Sequence, residues 1–260
     1  MAMSVLAAAA ISAALGVGPA PGAETAPMTP PIQAEARPSG FTPVALSEEP
    51  ARWRTQVCAG VIGLNQANGQ YVVDRISQRA QEVGLRVAPS GCTANILVIF
   101  SADPNGQAQS IARERTDPAS TTGRLGNTEG LSALGDFLQT SRPVRWWRVT
   151  GEVTESGEPA SRNERFGEPA RVNVPERGRL GSTTFTAFSH VIVVVDLGQV
   201  DGLRLGALAD YIAMAALTPL RPGERPEGPS VMGLFEAREA GRAMPEGLTS
   251  ADRAYLDTIY

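Results

Sequence analysis

Apolar positions along the chain follow two spacings, and each switch from one to the other marks a change of element. Val72, Val73, Ile76, Ala80 and Val83 recur at helical spacing, Asp74, Arg75, Gln78, Arg79 and Glu82 take the opposite face, and Gly84 suits the left-handed position after a helix end. This predicts a helix that opens at Asn68-Gly69. It stands between a Val-, Ile- and Thr-containing strand over 53–64 and a short strand over 85–87. The continuous apolar run over 95–100 is what a central strand shows when both faces are covered, and it completes a β-α-β start. Asp103-Pro104 supplies a cap and first turn for a helix through about residue 115, while Leu131, Leu134, Phe137 and Leu138 mark another over 130–139.

In the second half, period-two alternation over 143–153 puts Val144, Trp146 and Arg148 on one side of a strand and Arg145, Trp147 and Val149 on the other. Each face carries a tryptophan. The polar stretch over 155–182 reads as a long mobile hairpin loop, and 183–196 returns to strand, apolar enough in its second half for a sheet interior and ending on Asp196. Residues 203–217 are apolar almost all round, with Arg204 and Asp210 the only charges, so this helix is expected in the middle of the domain with Asp201 as its cap. Pro219, Pro222, Pro226 and Pro229 exclude helix interior and central strand from 218–230. Thr249 and Asp252 form a capping-box variant for a short last helix, with Leu248 placed to pack back on it. The elements together predict an α+β fold, a mixed sheet with packed helices, in one domain over 52–260.

The N-terminal region departs from this pattern. An apolar run over 5–17 followed by small residues reads as a signal peptide over 1–23, and the aperiodic Pro/Ala-rich stretch over 24–51 reads as a disordered linker. The run is about 13 residues, short of the roughly 20 a spanning helix needs, so the expected mature protein has no membrane span and is exported, periplasmic or secreted.

Composition narrows the chemistry. With 260 residues, 42% of them hydrophobic, the chain can bury a sizeable core without a metal staple. A net charge of −4 leaves no global positive field for nucleic acid. Two cysteines and one histidine rule out the usual His-rich zinc sites, and without a P-loop, dinucleotide fingerprint or EF-hand loop no cofactor is implied. In an exported chain, Cys58 and Cys92 are expected to pair. Closing that loop contributes roughly 3 to 4 kcal/mol in the chain-entropy account.

His190 shares a period-two face with Phe188, Ile192, Val194 and Asp196, where a satisfied core or rim histidine is the plain reading. The enzymatic alternative is a hydrolase of unknown substrate that joins His190 to Asp196, Asp201 and Asp210, although no Gly-x-Ser-x-Gly elbow is present. Trp146 and Trp147 between Arg145 and Arg148, with His190, are a candidate binding surface through stacking and cation-π contacts. The plainer reading packs one tryptophan in the core and the other at its rim.

The ordered series Val193-Val194-Val195-Asp196, the helix over 203–217, the Pro-rich loop, Ser230-Val231-Met232-Gly233-Leu234-Phe235, and Leu248 to Leu256 with Tyr260 resembles exported bacterial proteins related to zincin-like metallopeptidases. In those relatives a strand precedes the active-site helix, and a Thr-x-x-Asp helix with a Leu-Tyr-like terminus closes the domain. The active helix of that class carries H-E-x-x-H, two imidazoles on one face to hold zinc and a glutamate to activate water. The corresponding residues here are Ala209, Asp210, Tyr211, Ile212 and Ala213, so both ligand positions are alanine. The resemblance implies a degenerate site and a non-catalytic exported protein that acts as a peptide- or protein-binding module or as an envelope module; a purely structural envelope protein tethered by its Pro-rich N-terminal segment is a further reading. Asp210 is then expected to pair with an arginine such as Arg204 or Arg253.

Overall fold

Among the described residues four strands carry the apolar runs and form one sheet in the order β1-β2-β4-β3: β1 Ala59–Ile62, β2 Ile96–Ser101, β3 Val144–Val153 and β4 Phe185–Asp196. The computed structural model describes residues 50–116, 131–154 and 185–260, all within the unit Ser47–Tyr260. The expected signal peptide, the 155–182 loop and all but the last two residues of the expected linker lie outside the described residues. β1, β2 and β4 run parallel, with Ile96 opposite Ala59 and Val191, and β3 lies antiparallel to β4. The sheet is therefore mixed, and with helices on both faces the fold is α+β.

Both faces of the sheet are covered, which is why β2 and β4 are apolar without alternation. On one face Val98, Val193, Val144 and Trp146 meet α1 (Gln66–Glu82) and α5 (Leu205–Leu217) in the main core. On the other, Ile99, Ile192, Val194 and Trp147 meet α2 (Pro104–Thr116) and α3 (Leu131–Gln139) through Ala108, Ile111 and Phe137. β4 leads through the short α4 (Leu197–Val200) into α5, and α6 (Leu234–Glu239) and α7 (Ser250–Ile259) close the chain.

Several local expectations are met and others are corrected. Asp103 accepts from the Gly106 amide at the start of α2, and the Thr249–Asp252 capping box forms in both directions at α7. Cys58 and Cys92 are disulfide-bonded, tying the start of β1 to the turn before β2. The first strand is shorter than 53–64, and the segment at 85–87 pairs only as a single Val57–Val87 bridge. Asn65 caps α1, so this helix begins ahead of Asn68-Gly69. Asp201 ends α4 and does not cap α5, whose N-cap is Arg204 with no side-chain bond. A register shift at Val149/Thr150 skips Ser189, so Phe188 leaves the expected face of Ile192 and Val194 and joins the main core against Trp53.

Candidate functional site

Helix α5 is the element on which the expected site rests, and its sequence predicts its position: an all-apolar helix has no face to give to water. Every residue from Ala207 to Leu217 is buried. Ala209 and Asp210 are fully buried and Ala213 is 1% exposed. Neither alanine offers a donor atom, and the one carboxylate between them is fully engaged.

That carboxylate is gripped by α1. Asp210 Oδ1 accepts from Arg75 Nε at 2.8 Å and Arg79 Nε at 2.7 Å; Oδ2 accepts from Arg75 Nη2 at 2.8 Å, Arg79 Nη2 at 3.2 Å and the Leu248 amide at 2.9 Å. Arg79 also donates to both oxygens of Glu82. The backbone must pass close here: a Cβ at Gly247 would stand 2.6 Å from Asp210 Oδ2. Burial alone would raise the Asp210 pKa, but the hydrogen bonds from Arg79, Arg75 and Leu248 outweigh it and hold the carboxyl below its ordinary value. Burial likewise disfavours the Arg79 cation, and the bonds to Asp210 and Glu82 raise its pKa in spite of it. The partners of Asp210 are thus Arg75 and Arg79, not Arg204 or Arg253. Arg204 reaches Glu246 at the surface.

The C-terminal end of α5 is satisfied with equal care. A helix leaves its last four carbonyls without intrahelical partners, and when the end is buried each needs a donor. Met214 O takes the Thr218 amide and hydroxyl, Ala215 O takes Arg148 Nη2 at 2.9 Å, Ala216 O takes the Trp53 indole at 2.9 Å, and Leu217 O takes the Tyr260 hydroxyl. Arg148 donates to Leu220 O as well, and its guanidinium sits 5.6 Å from the rings of both Trp146 and Phe188. Its charge lies at the negative end of the helix dipole.

The arginines and tryptophans of β3 are therefore not a surface. Arg145, Trp146, Trp147 and Arg148 are each at most 4% exposed, because helices cover both faces of the sheet where these residues lie. His190, half-buried, stands opposite Val149 in the middle of β4. It does not meet the carboxylates expected beside it. Asp196 lies six residues further along the same strand, roughly 20 Å away, where it caps α4 through the Gly198 amide. Asp201 ends α4, and Asp210 is enclosed by its arginines.

A zinc of the kind that catalytic members of the class carry does not fit these residues. Ala209 and Ala213 supply no ligand, Asp210 is saturated, and among the described residues no three of His, Cys, Asp and Glu group closely enough to hold a metal. No step through a metal follows. Among the described residues there is also no helix long and apolar enough to cross a membrane.

A concavity does exist at the opposite end of α5. Leu203, Arg204, Ala207, Leu234, Met244, Pro245 and Glu246 line a depression of about 210 Å³, with an apolar floor and the exposed Arg204–Glu246 pair at its rim. Sequence reading missed Arg75, Arg79 and Met244. For the arginines a signal was present: an acid in an apolar helix needs cations, and arginines four apart share one face of α1. Comparison with protein-family models, with curated proteins and with solved structures finds no match for this chain.

Proposed function

We propose that the protein is a non-catalytic relative of the zincin-like class, exported to an oxidising compartment, where it binds a peptide or protein segment. One observation carries the reading. The carboxylate at the position where that class keeps its base is buried and takes five hydrogen bonds, from two arginines and a backbone amide, so it has no lone pair left for water. The strand-to-helix order of β4 and α5, the Thr249–Asp252 box and the terminal Tyr260 against Leu217 are in keeping with the resemblance. The Cys58–Cys92 disulfide is compatible with export. The depression beside Met244 offers an apolar pocket for one side chain of a ligand.

The test is made on the full chain purified with its disulfide intact. Incubated with zinc and dialysed, it should retain no stoichiometric metal and should not cleave an unstructured protein such as casein. An immobilised random peptide library should retain it, and Met244→Glu should reduce that retention while leaving the unfolding midpoint in place. Retained zinc with proteolysis would overturn the non-catalytic reading, and retention unaffected by Met244→Glu would remove the depression from it.

A further inference from the structure

The helix-covered face of β3 opposite α5 holds a cation that no carboxylate among the described residues pairs with. Arg145 is 2% exposed, and its one hydrogen bond runs from Nη1 to Phe137 O in the last turn of α3, at 3.3 Å. Its Nε has no acceptor. Among the described residues no carboxylate pairs with it: Asp196 acts on Arg145 only through space, and its oxygens are taken by the Gly198 amide and the Gln199 side chain. A buried charge without a partner is among the most costly features a fold can carry.

A second orphan donor stands beside it. Trp147 projects from the same face two residues along β3, is 1% exposed, and its indole Nε1 also lacks an acceptor. Residues i and i+2 on a strand are roughly 6.6 to 7 Å apart along the chain, and both side chains converge on Phe137, whose carbonyl meets Arg145 and whose ring lies 6.0 Å from the Trp147 ring. Two unpartnered N–H donors, one of them cationic, thus belong to side chains on one face of β3 that share Phe137 as a neighbour, with Ile192 and Val194 in the same apolar layer.

We propose that Arg145 and Trp147 form a buried site for a small monovalent anion between α3 and the sheet. One positive charge calls for one negative charge, since a divalent anion would leave the apolar layer with an excess. A halide is the fitting class. It accepts from several donors without directional demand and is cheaper to dehydrate than a phosphate or sulfate. The guanidinium edge carrying Nε is free of the Phe137 contact, so the anion can be held by Nε and the indole N–H while Nη1 keeps its carbonyl.

The experiment titrates chloride into the full chain at constant ionic strength, with gluconate as the replaced anion, and reads the 35Cl NMR line width together with denaturant unfolding. Folded wild type should broaden the line saturably, and the broadening should vanish on unfolding. At chloride about a hundred times the dissociation constant, the unfolding equilibrium constant should fall about a hundredfold. Trp147→Phe keeps the ring and removes the donor, so it should weaken chloride binding roughly tenfold, the size of one hydrogen bond to a charge. Arg145→Met should abolish it. If Arg145→Met does not fold, the line width of wild type and Trp147→Phe still decides. No saturable broadening in folded wild type, or equal broadening in Trp147→Phe, would overturn the proposal and leave these donors to water.

Discussion

The two ends of helix α5 obey opposite rules. At its C-terminal end each of the last four carbonyls has its own donor, drawn from Thr218, Arg148, Trp53 and Tyr260, so the entry of the domain, a sheet strand and the chain terminus all meet there. At its N-terminal end no side chain caps the first turn, and the residues around it, Leu203, Ala207 and Met244, line an open depression. Asp210 lies between, joined to α1. The contrast separates a constrained from an unconstrained end along a single helix: the closed end cannot be altered without stranding buried polar groups, and the open end can.

Substitutions should reproduce that contrast. Asp210→Ala leaves two arginines facing a buried gap and should cost about 3–5 kcal/mol in equilibrium unfolding. Arg148→Met at the closed end strands two buried carbonyls and removes a charge from the helix dipole, a loss of about 3 kcal/mol by the same measurement. Trp53→Phe strands only Ala216 O and should cost about 1–2 kcal/mol, with Tyr260→Phe near 1 kcal/mol because that end is part-exposed. At the open end, Arg204→Ala and Met244→Glu should each stay within about 0.5 kcal/mol of wild type, the range for exposed sites and exposed ion pairs. Equal costs at the two ends would break the comparison.

The pH dependence sharpens it further. Because the folded protein holds the Asp210 carboxyl below its ordinary value, this group stabilises the fold above that value, and its contribution is lost as pH falls through the folded pKa. Urea unfolding followed downward from about pH 5 should show a steeper loss for wild type than for Asp210→Ala.

Much of the fold was legible because burial shapes composition so directly. The apolar runs of β2 and β4, the all-round apolar α5 and the capping signals at Asp103 and Thr249 each follow from a single local rule, and each forms as read. The misreadings have a common cause. Trp146, Trp147 and their flanking arginines look amphipathic in isolation, but a strand covered on both faces buries its cations too, and what satisfies Arg148 are helix carbonyls distant in sequence. The Asp210 partners were hidden in the same way. Arg79 lies three residues after Ile76, on the buried stripe of α1 as well as among its polar residues, and only the packing of α1 on α5 decides between the two. The Ser189 bulge cannot be read from period-two alternation, which assumes an unbroken register.

The central claim, that Asp210 is held as a structural ion pair by Arg75 and Arg79, is tested most directly by titrating Asp210 itself. Carboxyl 13C NMR on the full chain should show it titrating below the 3.8 of an ordinary aspartate and unchanged by added zinc. A midpoint raised toward neutrality, or a carboxyl signal that moves when zinc is added, would contradict the account.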